Sequence, residues 1–103
     1  MTIIVDVPYI NRLAQAKSPE EVTTCLQSAS QHPYNDCCAL LSLLSRRQYR
    51  AAREVTAQKG PQIRELVRTQ GQQLRLYLPP EVRQDTKALK VIKGCNLWPW
   101  PVN

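Results

Sequence analysis

The chain has 103 residues, a net charge of +6 and 43% hydrophobic residues, with three glycines and no phenylalanine. That length supports one domain with a modest core of Leu, Val, Ile and Ala. Scarce glycine and the rarity of β-branched runs after residue 7 favour an all-α chain over a sheet protein, and no stretch approaches the ~20 apolar residues of a membrane span.

Residues 2–7, TIIVDV, read as a short edge strand or an extended lead-in that covers apolar surface. Pro8 suits the first turn of a helix over 8–16, with Ile10, Leu13 and Ala14 inward. Ser18-Pro19-Glu20-Glu21 is a helix start: N-cap Ser, Pro at the first position and a capping-box Glu. That helix is predicted over 18–31, with Val22, Cys25, Leu26 and Ala29 inward. Pro33 breaks the chain, His32 is a linker residue, and Asn35 or Asp36 caps the next helix, 34–47.

This next helix carries the densest apolar run, Cys37 to Leu44 (CCALLSLL), and should be largely buried. After the polar break SRRQ, Tyr49, Ala52 and Val55 form a thinner stripe on a helix over 49–59. The pair reads as an αα-hairpin turning at Arg46 to Gln48, with Ala51 and Ala52 permitting close approach. Gly60-Pro61 ends it, Gly60 taking the left-handed position past the helix. Pro61 starts a helix over 61–78 with Ile63, Leu66, Val67, Leu74 and Leu78 on its apolar face and Gly71 as a point of bending. Pro79-Pro80 stops it, and a last helix over 80–93 turns Val82, Ala88, Leu89 and Ile92 inward and closes at Gly94. The helical domain is thus expected over 1–94. The tail, 95–103, is extended and polyproline-like. Its Trp98 and Trp100 are either a strap over the core or exposed anchors for a partner.

The chemistry of sites is sparse. The N-terminus lacks the basic start of a signal peptide, so Cys25, Cys37, Cys38 and Cys95 read as free thiols in a reducing, cytoplasmic setting. A zinc site would recruit Cys25, His32, Cys37 and Cys38. Their spacing fits no common ligand pattern, and adjacent residues on a helix point about 100° apart. No metal or cofactor is expected. With one His, no GxSxG, no P-loop, no dinucleotide glycine pattern and scattered carboxylates, an enzyme is not expected either.

The hairpin carries a family likeness. A tetratricopeptide hairpin has Gly-x-Tyr-x-x-Ala at its turn, and Arg47 to Ala52 matches it at Tyr49 and Ala52, with Arg47 in place of Gly. Residues 18–29, SPEEVTTCLQSA, resemble the second helix of a preceding repeat. Over about residues 18–59 the chain resembles the tetratricopeptide-type chaperones of bacterial type III secretion, which hold a needle subunit. The resemblance implies a helical-hairpin repeat bundle of five to six helices. It also implies a concave face on which Leu40, Leu43 and Leu44 are shared between core and a groove for a partner's amphipathic helix. An adaptor or chaperone for a small helical partner is therefore the first expectation.

Charge supplies the second. Residues 1–37 balance at −2 and residues 38–103 at +8. Arg64, Arg68 and Arg75, at i, i+4 and i+11, share one face of the helix predicted over 61–78. Arg46, Arg47, Arg50 and Arg53 cluster at the hairpin turn. Arginine favours bidentate contact with phosphate or carboxylate, so the partner is RNA, DNA or an acidic protein. No aromatic interleaves on the 61–78 face, which weakens the case for base stacking.

Overall fold

A computed structural model describes residues 3–28, 32–98 and 100. Among them the chain is all-α, with six helices and no strand: α1 (Val7–Ala14), α2 (Pro19–Gln27), α3 (Pro33–Ser45), α4 (Tyr49–Gln70), α5 (Pro80–Arg83) and α6 (Thr86–Gly94). The first four form a closed ring of neighbours: α1 packs on α2 and α3, and α4 packs on both α2 and α3. The short α5 bridges α3 and α6, and α6 lies on α4. The result is a slab of 33 × 32 × 20 Å, built around Leu13, Val22, Leu40, Leu43, Val55, Ile63 and Ile92, each with no solvent exposure.

Several starts and stops follow the sequence signals. Ser18 Oγ accepts from the Glu21 amide at 3.2 Å, while Glu21 reaches back to the Lys17 amide at 3.0 Å. The hairpin turn lies where the polar break puts it, between Ser45 and Tyr49. Gln48 N–H bonds Leu43 C=O and Arg47 N–H bonds Leu44 C=O, the paired bonds of a Schellman closure. Arg47 takes the left-handed position itself, at φ 60°.

The break expected at Gly60 is absent. Gly60 and Pro61 do not end a helix; they lie inside the 22-residue α4, and no described glycine has positive φ. Proline in a helix interior costs about 3 kcal/mol and glycine about 1. Against this, Ile63, Leu66 and Val67 are buried, at roughly 1.5–3 kcal/mol each, and a break at Gly60 would carry all three off the surface they cover. Ala57, whose carbonyl loses its amide partner to the proline ring, is exposed, as is Pro61, so water reaches that oxygen.

The helix predicted over 61–78 therefore becomes the second half of α4 and stops at Gln70. Its end is a second Schellman closure, Leu76 N–H to Gly71 C=O and Arg75 N–H to Gln72 C=O, with Arg75 at φ 55°. Beyond it Leu76 and Leu78 turn inward with the period of extended backbone. The helix predicted over 80–93 is two helices, because Asp85 takes extended backbone and caps α6 by accepting from the Lys87 amide at 3.0 Å. α6 ends at Gly94 as expected, and the left-handed residue of its closing turn is Asn96 at φ 61°.

The N-terminal expectations also need correction. α3 is capped by His32, whose Nδ1 accepts from the Tyr34 amide at 3.1 Å, and Pro33 is its first residue. Asn35 and Asp36 are buried instead. Asn35 holds the lead-in by donating to Ile4 C=O at 3.1 Å and accepting from Asp6 N–H at 3.0 Å. The lead-in forms no strand and covers little: Ile4, Val5 and Val7 are 77%, 52% and 55% exposed. The helix predicted over 18–31 ends earlier, at Gln27, with Ser28 as its C-cap; Ala29, predicted inward, lies outside the described residues, as do Pro99 and residues 101–103 of the tail.

Candidate functional site

The continuity of α4 rearranges the basic residues. At 100° per residue, Arg50, Arg53, Arg64 and Arg68 fall within about 60° of one another around its axis. All four are exposed, while Ala52, Val55, Ile63 and Leu66 occupy the opposite, buried side. Two clusters that the sequence assigns to separate helices thus form one stripe about 27 Å long, from Arg50 to Arg68.

The remaining arginines part from it. Arg75 is not on the helix; it holds the left-handed residue of the closing turn. Arg47 does the same at the other end of α4. Arg46 is exposed, but its Nη1 donates to Ala14 C=O at 3.0 Å, which ties α3 to the open end of α1.

The stripe ends at a groove of about 620 Å³ lined by Arg64, Arg68, Gln72, Gln73 and Trp98, among others. This lining holds two arginines and no carboxylate. Trp98 is 47% exposed, and Lys93 Nζ stands 4.9 Å from its ring centroid, a cation–π contact from α6. Trp98 is thus the aromatic neighbour that residues 61–70 of α4 lack. No signal in the sequence places it beside Arg64 and Arg68, thirty residues away.

The two tryptophans divide the roles that the sequence left open. Trp100 is 3% exposed and its indole N–H donates to Leu76 C=O; it straps the tail onto the extended segment after α4. Trp98 is the exposed ring.

Leu40, Leu43 and Leu44 are 0%, 0% and 1% exposed. They lie in the middle of the core and present no open face to a partner. Of the residues weighed for zinc, Cys37 is buried and Cys25 and Cys38 are half-buried. Among the described residues no group of three or more His, Cys, Asp or Glu is gathered to hold a metal. Burial pushes the Cys37 thiol far above its ordinary value and raises that of Cys38, so neither favours the thiolate that nucleophiles and metal ligands require. Among the described residues no helix is long and apolar enough to cross a membrane.

Comparison with protein-family models, with curated proteins and with solved structures finds no match.

Proposed function

We propose that this protein is a non-enzymatic nucleic-acid-binding module that engages a phosphate backbone along the exposed arginine stripe of α4. One observation carries the reading: Arg50, Arg53, Arg64 and Arg68 share a single solvent face because α4 runs unbroken through Pro61. Arginine on a rigid helix offers phosphates a fixed row of forked donors. A net charge of +6 steers such a polymer toward it. The reading goes with a cytoplasmic location, to which four free cysteines lend support.

The test is an anisotropy titration with mixed-sequence DNA and RNA at low and moderate salt. Binding should weaken steeply as salt rises, in proportion to the phosphates neutralised. Replacing all four stripe arginines by Ala should abolish it, whereas Arg46→Ala and Arg75→Ala should change it little. Absence of binding by the wild-type protein at low salt would sink the reading.

A protein partner, as the tetratricopeptide resemblance suggests, is the second reading. Its support is the run of exposed Ile4, Val5 and Val7 rather than the buried leucines of α3. A pull-down that loses its captured protein when Ile4 and Val5 become Ser would favour it.

A further inference from the structure

Resting on the nucleic-acid reading above, we infer that the groove at the end of α4 takes a single-stranded segment, one base stacking on Trp98 while neighbouring phosphates meet Arg64 and Arg68.

The two parts of the basic surface differ in shape. The stripe is the convex side of a helix and makes no distinction between single and double strands. The groove is concave, and its volume of about 620 Å³ is that of a small-ligand site. It holds a nucleotide or two and excludes a duplex, whose bases are stacked inside and cannot reach an indole.

Its chemistry matches the parts of an unpaired nucleotide. Arg64 and Arg68 lie one helical turn apart, about 6 Å along the axis, and present donors to successive phosphates. Gln72 and Gln73, one turn further on, carry both donor and acceptor atoms for a base edge. Trp98 supplies the π-face, and stacking is sequence-tolerant because every base has one. Lys93 covers one face of the indole at 4.9 Å. It is a positioning residue: it holds the ring at the groove's rim and leaves the exposed remainder for a base.

The experiment compares a labelled single strand of about 12 nucleotides with the same sequence as a duplex, at low salt. Wild-type protein should bind the single strand at least tenfold more tightly, with quenching of Trp98 emission; Trp100 is buried and serves as a constant background. Trp98→Leu should lose roughly ten- to hundredfold affinity for the single strand, with its salt slope unchanged because no phosphate contact is removed. Trp98→Phe should restore most of the loss. Arg64→Gln and Arg68→Gln should each lower the salt slope by about 0.7. Thermal melts of each variant control for folding. Equal affinity for the two forms, or a Trp98→Leu variant that binds the single strand like wild type, overturns the inference while leaving the backbone-binding stripe intact. No binding of either form overturns both.

Discussion

Two tyrosine–aspartate hydrogen bonds lie in two regions of this molecule, and the carboxyls that accept them are displaced in opposite directions from their ordinary value. Tyr9 of α1 donates to Asp36 of α3 inside the protein. Tyr49, the first residue of α4, donates to Asp85, the cap of α6, at 2.5 Å in a partly exposed position. Burial raises the Asp36 carboxyl above its ordinary value, and the Tyr9 hydrogen bond and nearby Lys59 offset that only in part. At Asp85 the Tyr49 hydrogen bond comes first and holds the carboxyl below its ordinary value. The same bond therefore accompanies a penalised anion in one place and a favoured one in the other. The difference teaches that dehydration, more than the partner, sets the sign.

The interior around Asp36 can be calibrated by an apolar change on the same helix. Leu44→Ala deletes a side chain that is 1% exposed, on the helix that packs against α4, and should cost about 2–5 kcal/mol. A domain of this size has roughly 5–15 kcal/mol in total, so its melting temperature should fall by roughly 8–40 °C, at about 4–8 °C per kcal/mol. Arg46→Ala, although it loses the bond to Ala14, should move the melt far less. Equal small shifts would mean that α3 is not the centre of the interior, and the comparison would lose its buried member.

Tyr9→Phe comes next. It leaves the Asp36 carboxylate without its hydroxyl donor and should cost about 1–3 kcal/mol at neutral pH. Acid should reduce this cost, since a protonated carboxyl no longer needs charge compensation. A melt lowered by the same amount at pH 4 and pH 7 would argue that only packing was lost.

Asp36→Asn inverts the experiment. Because the folded protein holds the Asp36 proton more tightly than the unfolded chain, the penalty of the ionised group is absent well below its ordinary pKa of 3.8. It grows as pH rises through the raised value. Asparagine keeps an acceptor for the Tyr9 hydroxyl and carries no charge. The variant should melt above wild type at pH 7, with its lead shrinking toward pH 4. A lead that grows on acidification would contradict the assignment.

The smallest effect belongs to the exposed pair, and its slope is reversed. The lowered Asp85 value means that its contribution is complete above pH 3.8 and disappears as pH falls through the lower, folded-state value. Tyr49→Phe should therefore lower the melt slightly at pH 7, by an amount that shrinks as pH falls below 3.8. Identical pH signatures for Tyr9→Phe and Tyr49→Phe would remove the distinction between the two sites.

Legibility in the sequence divides along a similar line. Local chemistry was readable: Ser18 with Glu21, the apolar run from Cys37 to Leu44, the hairpin turn at residues 46–48, and the helix start at Pro80. Each depends on groups within a few residues of one another. Glycine was a misleading sign at Gly60, which lies inside α4, though α4 does stop beside Gly71, the expected point of bending. The left-handed closing positions went to Arg47, Arg75 and Asn96, because the Schellman bonds and the burial of the following Leu76 and Leu97 outweigh the ~1–2 kcal/mol that such backbone costs a side-chain-bearing residue. At the candidate site, Arg64 and Arg68 were legible from their i, i+4 spacing. Their union with Arg50 and Arg53 was not, since Gly60-Pro61 reads locally as a break.

By itself, then, the sequence determined an all-α chain, the hairpin of α3 and α4 and an excess of positive charge after residue 37, all through periodicity, capping and composition. Tertiary structure alone decided that α4 continues through Pro61, since the helix must carry Ile63, Leu66 and Val67 onto neighbours that are distant in sequence. It alone decided that Tyr9 meets Asp36, and that Trp98 stands beside Arg64 and Arg68 while Trp100 is buried. The physical reason is common to all three. Each contact joins residues some ten to forty positions apart, and the free energy that selects it comes from burying surfaces which no single segment possesses.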